Sequence, residues 1–97
     1  MATLAFDDDA IEDLSRLARF LAQADPSGAL AVLELIRTAV SLLEEHPLIG
    51  RPTNGELREL VISLGATGYI ALYGYSPLAD HVQIHGIRHQ REAGFDD

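Results

Sequence analysis

Two stretches in the first half of the chain repeat apolar residues at helical spacing. In residues 10–24 the apolar positions fall three or four residues apart and share one face: Ile11, Leu14, Leu17, Ala18 and Leu21. Residues 27–45 carry a similar stripe: Ala29, Val32, Leu33, Ile36, Val40 and Leu43. Asp25 and Pro26 separate the two stretches, and proline is well tolerated in the first turn of a helix. The pattern therefore predicts two amphipathic helices in tandem.

The second predicted helix is also apolar outside its main stripe. Leu30, Leu35 and Leu42 lie off the face that the stripe occupies. A helix that is apolar on more than one side must be covered on more than one side. We therefore expect these three leucines to face a partner.

Four further segments are typical of β-strands, being short and rich in alternating apolar residues. The predicted strands are residues 2–6, 57–64, 69–75 and 81–89. Residues 47–57 are rich in proline and glycine and predict turns, and the tail 90–97 is polar apart from Phe95. The order predicts an α+β fold, β-α-α-β-β-β, with a helical hairpin packed on an antiparallel sheet. At 97 residues, the chain is expected to form one domain over residues 1–97.

Strict alternation along the strands assigns side chains to the two faces of the sheet. It places Tyr73 and Tyr75 on one face of their strand, where they offer hydroxyls and stacking planes. In the last strand it places Arg88 on the face of Val82 and Ile84. The other face of that strand is predicted to carry His81, Gln83, His85, Ile87 and His89.

The charge of the chain narrows the choice of partners. Acidic residues outnumber basic ones 15 to 7, the formal net charge is -8, and every basic residue is arginine. A surface of this kind is poorly suited to gripping phosphate backbones, so we expect no direct sequence-specific binding of nucleic acid. The acidic N-terminal segment and the charges within residues 29–43 predict a cytoplasmic protein with no signal peptide and no membrane span.

The spacing and the composition of the chain argue against several kinds of functional site. His81, His85 and His89 recur every fourth residue, which on a strand separates neighbours by roughly 13 Å, too far to share a metal ion. The chain has no cysteine and no glycine-rich phosphate loop, so no metal and no cofactor is expected. The spacing of Asp9 and Glu12 matches a helix capping box, which explains the acidic run at 7–9 without a site.

The polar groups that remain lie in the second half of the chain. Arg58 opens one predicted strand, and Arg88, His89 and Arg91 stand at the end of another, with His85 nearby. This cluster is a candidate for binding or catalysis. The alternative is that the arginines only pair with the acidic residues Glu56, Glu59 and Glu92.

Three segments together resemble the RelE/ParE superfamily of bacterial toxins from type II toxin–antitoxin systems. They are Glu-His-Pro-Leu-Ile-Gly-Arg-Pro at 45–52, Leu-Arg-Glu-Leu at 57–60 and Ile-Arg-His-Gln-Arg-Glu at 87–92. The resemblance covers nearly the whole chain and implies the same helical hairpin on a sheet. It also implies a cytoplasmic toxin that a cognate, ParD-like antitoxin silences. On this interpretation Leu30, Leu35 and Leu42 are the antitoxin-binding residues, as an amphipathic segment seeks an apolar groove.

Two activities occur in this superfamily, and the resemblance alone leaves both open. ParE-like members poison DNA gyrase, whereas RelE-like members cleave messenger RNA in the ribosome. The acidity, the lack of lysine and Phe95 in place of a tail tyrosine favour the ParE-like activity, with gyrase as partner. The target-binding residues would then be Arg58, Tyr73, Arg88, His89 and Arg91. For the ribonuclease alternative the catalytic residues would be Arg58, His85, Arg88 and His89. A third alternative is a degenerate, non-toxic module that only binds the antitoxin.

Overall fold

A computed structural model describes residues 1–64 and 67–90 of the chain. The elements follow in this order: β1 Thr3–Phe6, α1 Asp8–Ala24, α2 Pro26–Ser41, a 3-10 turn Leu42–Glu44, β2 Arg51–Pro52, β3 Arg58–Leu64, β4 Thr67–Ser76 and β5 His81–His89. This order confirms the predicted α+β architecture and adds the two-residue strand β2. Residues 65–66 and 91–97, which include part of one predicted turn and most of the tail, lie outside the described residues.

The five strands form one sheet in the order β1-β5-β4-β3-β2. Strands β2 to β5 pair antiparallel, as predicted. The first strand departs from the prediction, because β1 runs parallel to β5 with Thr3 opposite His81 and Phe6 opposite Ile84. A parallel neighbour requires a long crossover, and the two helices together with the other strands provide it.

A β-bulge in the last strand changes which side chains share a face. Tyr73 pairs with Ile84 while Leu72 pairs with Gly86, so His85 is an extra residue with no partner in register. An extra residue shifts the alternation by one position. Ile87 is therefore buried in the core, although strict alternation put it on the opposite face.

The same bulge corrects the predicted positions of the polar residues near the end of β5. Arg88 pairs with Ile70 and does not share the face of Val82 and Ile84. His89 pairs with the buried Tyr69, and the two rings meet edge to face with centroids 5.2 Å apart. His85 and His89 consequently lie on different faces, whereas the sequence predicted one.

The helical hairpin covers one face of the sheet and forms the core with it. The largest fully buried side chains come from both layers: Ile36, Val40, Leu43, Tyr69, Tyr73, Val82, Ile84 and Ile87. Residues Pro26–Glu44 form a helical stretch long and apolar enough to meet the length and composition test for a membrane span, contrary to the sequence prediction. The core helix of a sheet-packed domain meets the same test, and this one buries Val32, Ile36 and Val40 against the sheet.

The first helix begins at Asp8, two residues earlier than predicted. Asp7 is the N-cap, and Asp8 and Asp9 already lie in the first turn, where negative charge suits the helix dipole. No side-chain hydrogen bond caps this helix, so the predicted capping box is wrong. The carboxylate of Asp7 is instead bonded to two side chains of β5.

Candidate functional sites

Two side chains of the sheet hold the loop at residues 47–50, which we call the 47–50 loop. The hydroxyl of Tyr73 donates to the carbonyl of Pro47 at 2.8 Å and accepts from the Gly50 amide at 2.9 Å. Arg58 donates from Nη1 to the carbonyls of Leu48 and Gly50, at 3.2 and 2.8 Å. Burial raises the pKa of Tyr73, so this hydroxyl keeps the proton that it donates. The loop therefore has a fixed conformation.

A row of polar side chains follows the face of the sheet that the helices leave open. Thr3 Oγ1 is 2.6 Å from His81 Nδ1, and His81 Nε2 is 2.8 Å from Gln83 Oε1. The Gln83 amide donates to Asp7, whose other carboxylate oxygen is 2.6 Å from His85 Nδ1. Each side chain fixes the next one, so the row ends in an oriented imidazole.

The aspartate–histidine pair at the end of this row has the geometry of an acid–base dyad. Asp7 engages Nδ1 of His85, which leaves Nε2 on the side of Gly74. A Cβ at Gly74 would lie 3.5 Å from Nε2, so the glycine keeps space beside that nitrogen. The hydrogen bonds from His85 and Gln83 lower the pKa of Asp7, and the charge of His85 adds to this effect.

The lowered pKa of Asp7 predicts a specific pH dependence. A carboxyl group whose pKa is lowered on folding stabilises the protein at pH values above its pKa in the unfolded state. This contribution is lost as the pH falls through the pKa of the folded state. We expect the stability advantage of the wild type over Asp7→Asn to be present above the ordinary carboxyl pKa of 3.8 and to shrink below it. Urea unfolding of both proteins between about pH 6 and about pH 3 measures this difference. An advantage that stays constant over that range would contradict the role assigned to Asp7.

A polar cleft lies between α1 and the end of β5. Its lining is mostly charged: Asp9, Glu12, Asp13, Arg16, His85, Gly86 and Arg88. At its base Asp13 is buried, with 7% of its surface exposed, and accepts from the Ile87 amide at 2.9 Å. The same carboxylate bonds Arg16 at 3.1 Å and Arg88 at 3.4 Å. Asp13 thus provides a hydrogen-bond acceptor for the stretch of β5 that lies beyond the end of β1.

An apolar groove lies between the two helices. It is lined by residues of β1, α1 and α2: Phe6, Ile11, Leu14, Ser15, Ala18, Leu33, Glu34, Ile36 and Arg37. Ile11, which the sequence pattern assigned to the core stripe, is 52% exposed here. The helix period alone does not show where the packed face ends and the groove begins, so the sequence pattern did not identify these lining residues.

The three leucines predicted to bind the antitoxin do not line this groove. At 3.6 residues per turn, Leu30 lies about 60° round the helix from Leu33, on the side of α2 that carries the groove, but it is one turn nearer the start of the helix than the lining residues, and it is exposed. Leu35 lies about 160° from Leu33, so it faces away from the groove. Leu35 packs partly against the core, whereas Leu42 is exposed in the 3-10 turn after α2.

The predicted target-binding residues are also distributed over different parts of the sheet. Arg58 pairs with Tyr73 in register and shares its face, at the end that the 47–50 loop covers. Arg88 lies at the polar cleft, bonded to Asp13. Tyr73 is fully buried, so its ring offers no stacking plane to a partner. Arg91 lies outside the described residues, as does Phe95 of the tail.

A family model and a related sequence both match this chain to bacterial toxins. The family model for the ParE toxin of type II toxin–antitoxin systems matches residues 4–94. Toxin RelE3 of Caulobacter vibrioides is 39% identical over 80 residues, which cover 82% of this chain and 85% of that toxin.

Solved structures show the same fold. The chromosomal ParDE toxin–antitoxin system from P. aeruginosa contains a chain with a TM-score of 0.74 and 22% identity, covering 92% of this chain and 96% of that one. The intact E. coli RelBE toxin–antitoxin complex contains one with a TM-score of 0.67 and 16% identity, covering 91% and 95%. Because the family model spans nearly the whole chain and the sequence relative is 39% identical over 82% of it, the chain belongs to the ParE toxin family of type II toxin–antitoxin systems, within the RelE/ParE superfamily.

Proposed function

We propose that this toxin inhibits DNA gyrase and so blocks replication, and that a cognate, ParD-like antitoxin neutralises it. The match to the ParE family model supports this target. The observation that favours gyrase over RNA as the target is that most of the described arginines are hydrogen-bonded to groups of the protein itself. Both candidate targets are cytoplasmic, and we place the toxin's action in that compartment.

Most of the arginines within the described residues donate to acceptors of the protein itself. Arg37 pairs with Glu34 at 2.9 Å, and Arg51 pairs with Glu59 at 3.0 Å. Arg58 is bonded to loop carbonyls and Arg88 to the buried Asp13. A ribonuclease needs cations directed at phosphate, in a site that attracts a polyanion. The polar cleft carries three carboxylates against two arginines, which favours a protein target over RNA.

One observation favours the second candidate, cleavage of messenger RNA in the manner of RelE-like toxins. The Asp7–His85 pair provides an oriented imidazole on the open face of the sheet, and an imidazole is the usual general base for abstracting a ribose hydroxyl proton. Of the four residues predicted for this activity, only His85 and Arg88 line the same cleft. Arg58 contacts the 47–50 loop, and His89 lies on the opposite face beside Tyr69.

The two candidates predict different results when the chain is induced alone in bacteria. Under the gyrase proposal, pulse labelling shows an early arrest of DNA synthesis while translation continues. The variant His85→Gln keeps an N–H donor for Asp7 but has no basic nitrogen to accept a proton. Under the gyrase proposal it should arrest DNA synthesis as the wild type does. Early arrest of translation that His85→Gln abolishes would overturn the gyrase proposal in favour of the nuclease. If neither process stops while the folded chain still binds its antitoxin, the chain is a non-toxic binding module.

We place the antitoxin's contacting segment in the apolar groove between α1 and α2. Helix-in-groove recognition needs an apolar trough, and this one has exposed Ile11 on one wall and Leu33 on the other. We expect Ile11→Asp to weaken the antitoxin complex by at least about tenfold, since a carboxylate must then be desolvated in the interface.

Leu78→Asp is the matched control, because Leu78 is fully exposed in the turn between β4 and β5 and lies outside the groove. Affinity measured by isothermal titration with the purified antitoxin should be unchanged in this variant. Equal affinity for Ile11→Asp and Leu78→Asp would place the antitoxin elsewhere on the chain.

A further inference from the structure

The 47–50 loop combines a fixed backbone with exposed apolar side chains. Four hydrogen bonds hold its main chain: Tyr73 and Arg58 donate three of them, and the Gly50 amide donates the fourth to the Tyr73 hydroxyl. Gly50 approaches the Tyr73 ring so closely that a Cβ would lie 2.6 Å from it. Leu48 and Ile49, at the tip, are nevertheless 58% and 50% exposed. The loop is ordered by contacts beneath it and not by burial of its own side chains.

This arrangement suits docking to another molecule. A loop that is fixed in advance loses little conformational entropy when it binds, so more of the apolar contact contributes to affinity. Adjacent exposed Leu and Ile side chains form a small apolar projection of the kind that inserts into a pocket at the centre of an interface.

The charges beside the loop indicate what kind of surface it meets. Pro47 borders a shallow depression whose other lining residues include Glu44, Glu45 and Asp80. On the opposite side of the loop, Arg51 is paired with Glu59. The N-terminal ammonium of Met1, which pairs with Asp80, and Arg58, which bonds the Leu48 carbonyl, also lie beside the projection. Acidic groups around it still outnumber basic ones by four to three, in a chain whose formal net charge is -8. A complementary surface carries an apolar pocket with a basic rim.

We infer that the 47–50 loop is the target-docking element of this toxin, and that Leu48 and Ile49 insert into an apolar pocket of gyrase bordered by Lys or Arg. The inference rests on the proposed function. An enzyme that handles DNA presents basic surfaces, because phosphate binding depends on cations. The antitoxin's proposed seat, the groove between the helices, shares no lining residue with the loop. Arg58 and Tyr73 then act as positioning residues, through the backbone that they hold.

The test compares variants in two binding measurements and in their oligomeric state. The double variant Leu48→Asp with Ile49→Asp, the control Leu78→Asp and the wild type are each titrated against purified gyrase and against the antitoxin, and their oligomeric state is determined. We expect the double variant to bind gyrase at least about tenfold more weakly, with antitoxin affinity and oligomeric state unchanged. Binding of the wild type to gyrase should also weaken as salt is added.

A second variant tests the positioning role. Tyr73→Phe keeps the buried ring and removes the hydroxyl that bonds Pro47 and Gly50, so gyrase affinity should fall several-fold while antitoxin affinity stays the same. If the double aspartate variant does not fold, Leu48→Ser with Ile49→Ser replaces it in the same titrations.

Four outcomes overturn the inference. Undiminished gyrase affinity in the loop variant removes the loop from the interface. Equal loss of gyrase and antitoxin binding makes the loop a general structural element, and a changed oligomeric state makes it a contact between copies of this chain. A wild type that does not bind gyrase overturns the proposed function as well, which distinguishes that failure from failure of the loop alone.

Discussion

Replacing Asp13 with alanine is expected to lower the free energy of unfolding by about 3 kcal/mol. The substitution leaves the Ile87 amide without its acceptor in the part of β5 that β1 does not reach. It also removes the carboxylate that Arg16 and Arg88 share. A buried donor that loses its partner forfeits its full desolvation free energy, which makes the effect large. Urea unfolding followed by circular dichroism measures it.

Two controls separate the hydrogen bond from the charge. Asp13→Asn keeps a carbonyl oxygen for the Ile87 amide, so we expect a smaller loss of about 1 kcal/mol. Asp9→Ala removes an exposed carboxylate from the same cleft and should change stability by less than about 0.5 kcal/mol. If Asp13→Ala matched Asp9→Ala, the assignment of Asp13 as the cap of the β5 edge would be wrong.

The second large effect is expected at Gly50. A Cβ there meets Cε1 and the hydroxyl oxygen of Tyr73, both at 2.6 Å. That ring is fully buried and held by two hydrogen bonds, so it has little room to shift. Gly50→Ala should therefore destabilise the fold by about 2 to 3 kcal/mol through overpacking.

Gly55 provides the matched control in the same connection between α2 and β3. Nothing lies within 4 Å of a Cβ at that position, so Gly55→Ala should shift stability by less than about 0.5 kcal/mol. Thermal and urea unfolding of both variants test the pair. Equal stabilities would show that the Tyr73 ring is not the constraint on the loop.

The fold could be predicted from sequence because its signals are local. Apolar residues at helical spacing gave both helices, and alternating apolar runs gave four of the five strands. Strand β2 has only two residues, Arg51 and Pro52, which is too short for any periodicity. The parallel pairing of β1 with β5 joins opposite ends of the chain, and no short-range pattern encodes it.

The candidate sites were harder to predict, since they depend on single residues and on long-range packing. One extra residue, His85, moved Ile87 into the core and Arg88 out of its predicted face. The same bulge lies next to Asp7, which sequence reasoning treated only as part of a helix cap. Arg58 carried a family signal, but its neighbours in sequence do not show that it bonds the carbonyls of a loop.

ParE-like and RelE-like toxins share this fold, so a direct assay of gyrase distinguishes the two activities. The most direct measurement is gyrase activity on relaxed plasmid DNA with the purified chain, in the presence and absence of its antitoxin. Our account predicts that the chain stops supercoiling or traps cleaved DNA, and that the antitoxin restores activity. Full supercoiling in the presence of excess chain that still arrests growth in cells would contradict it.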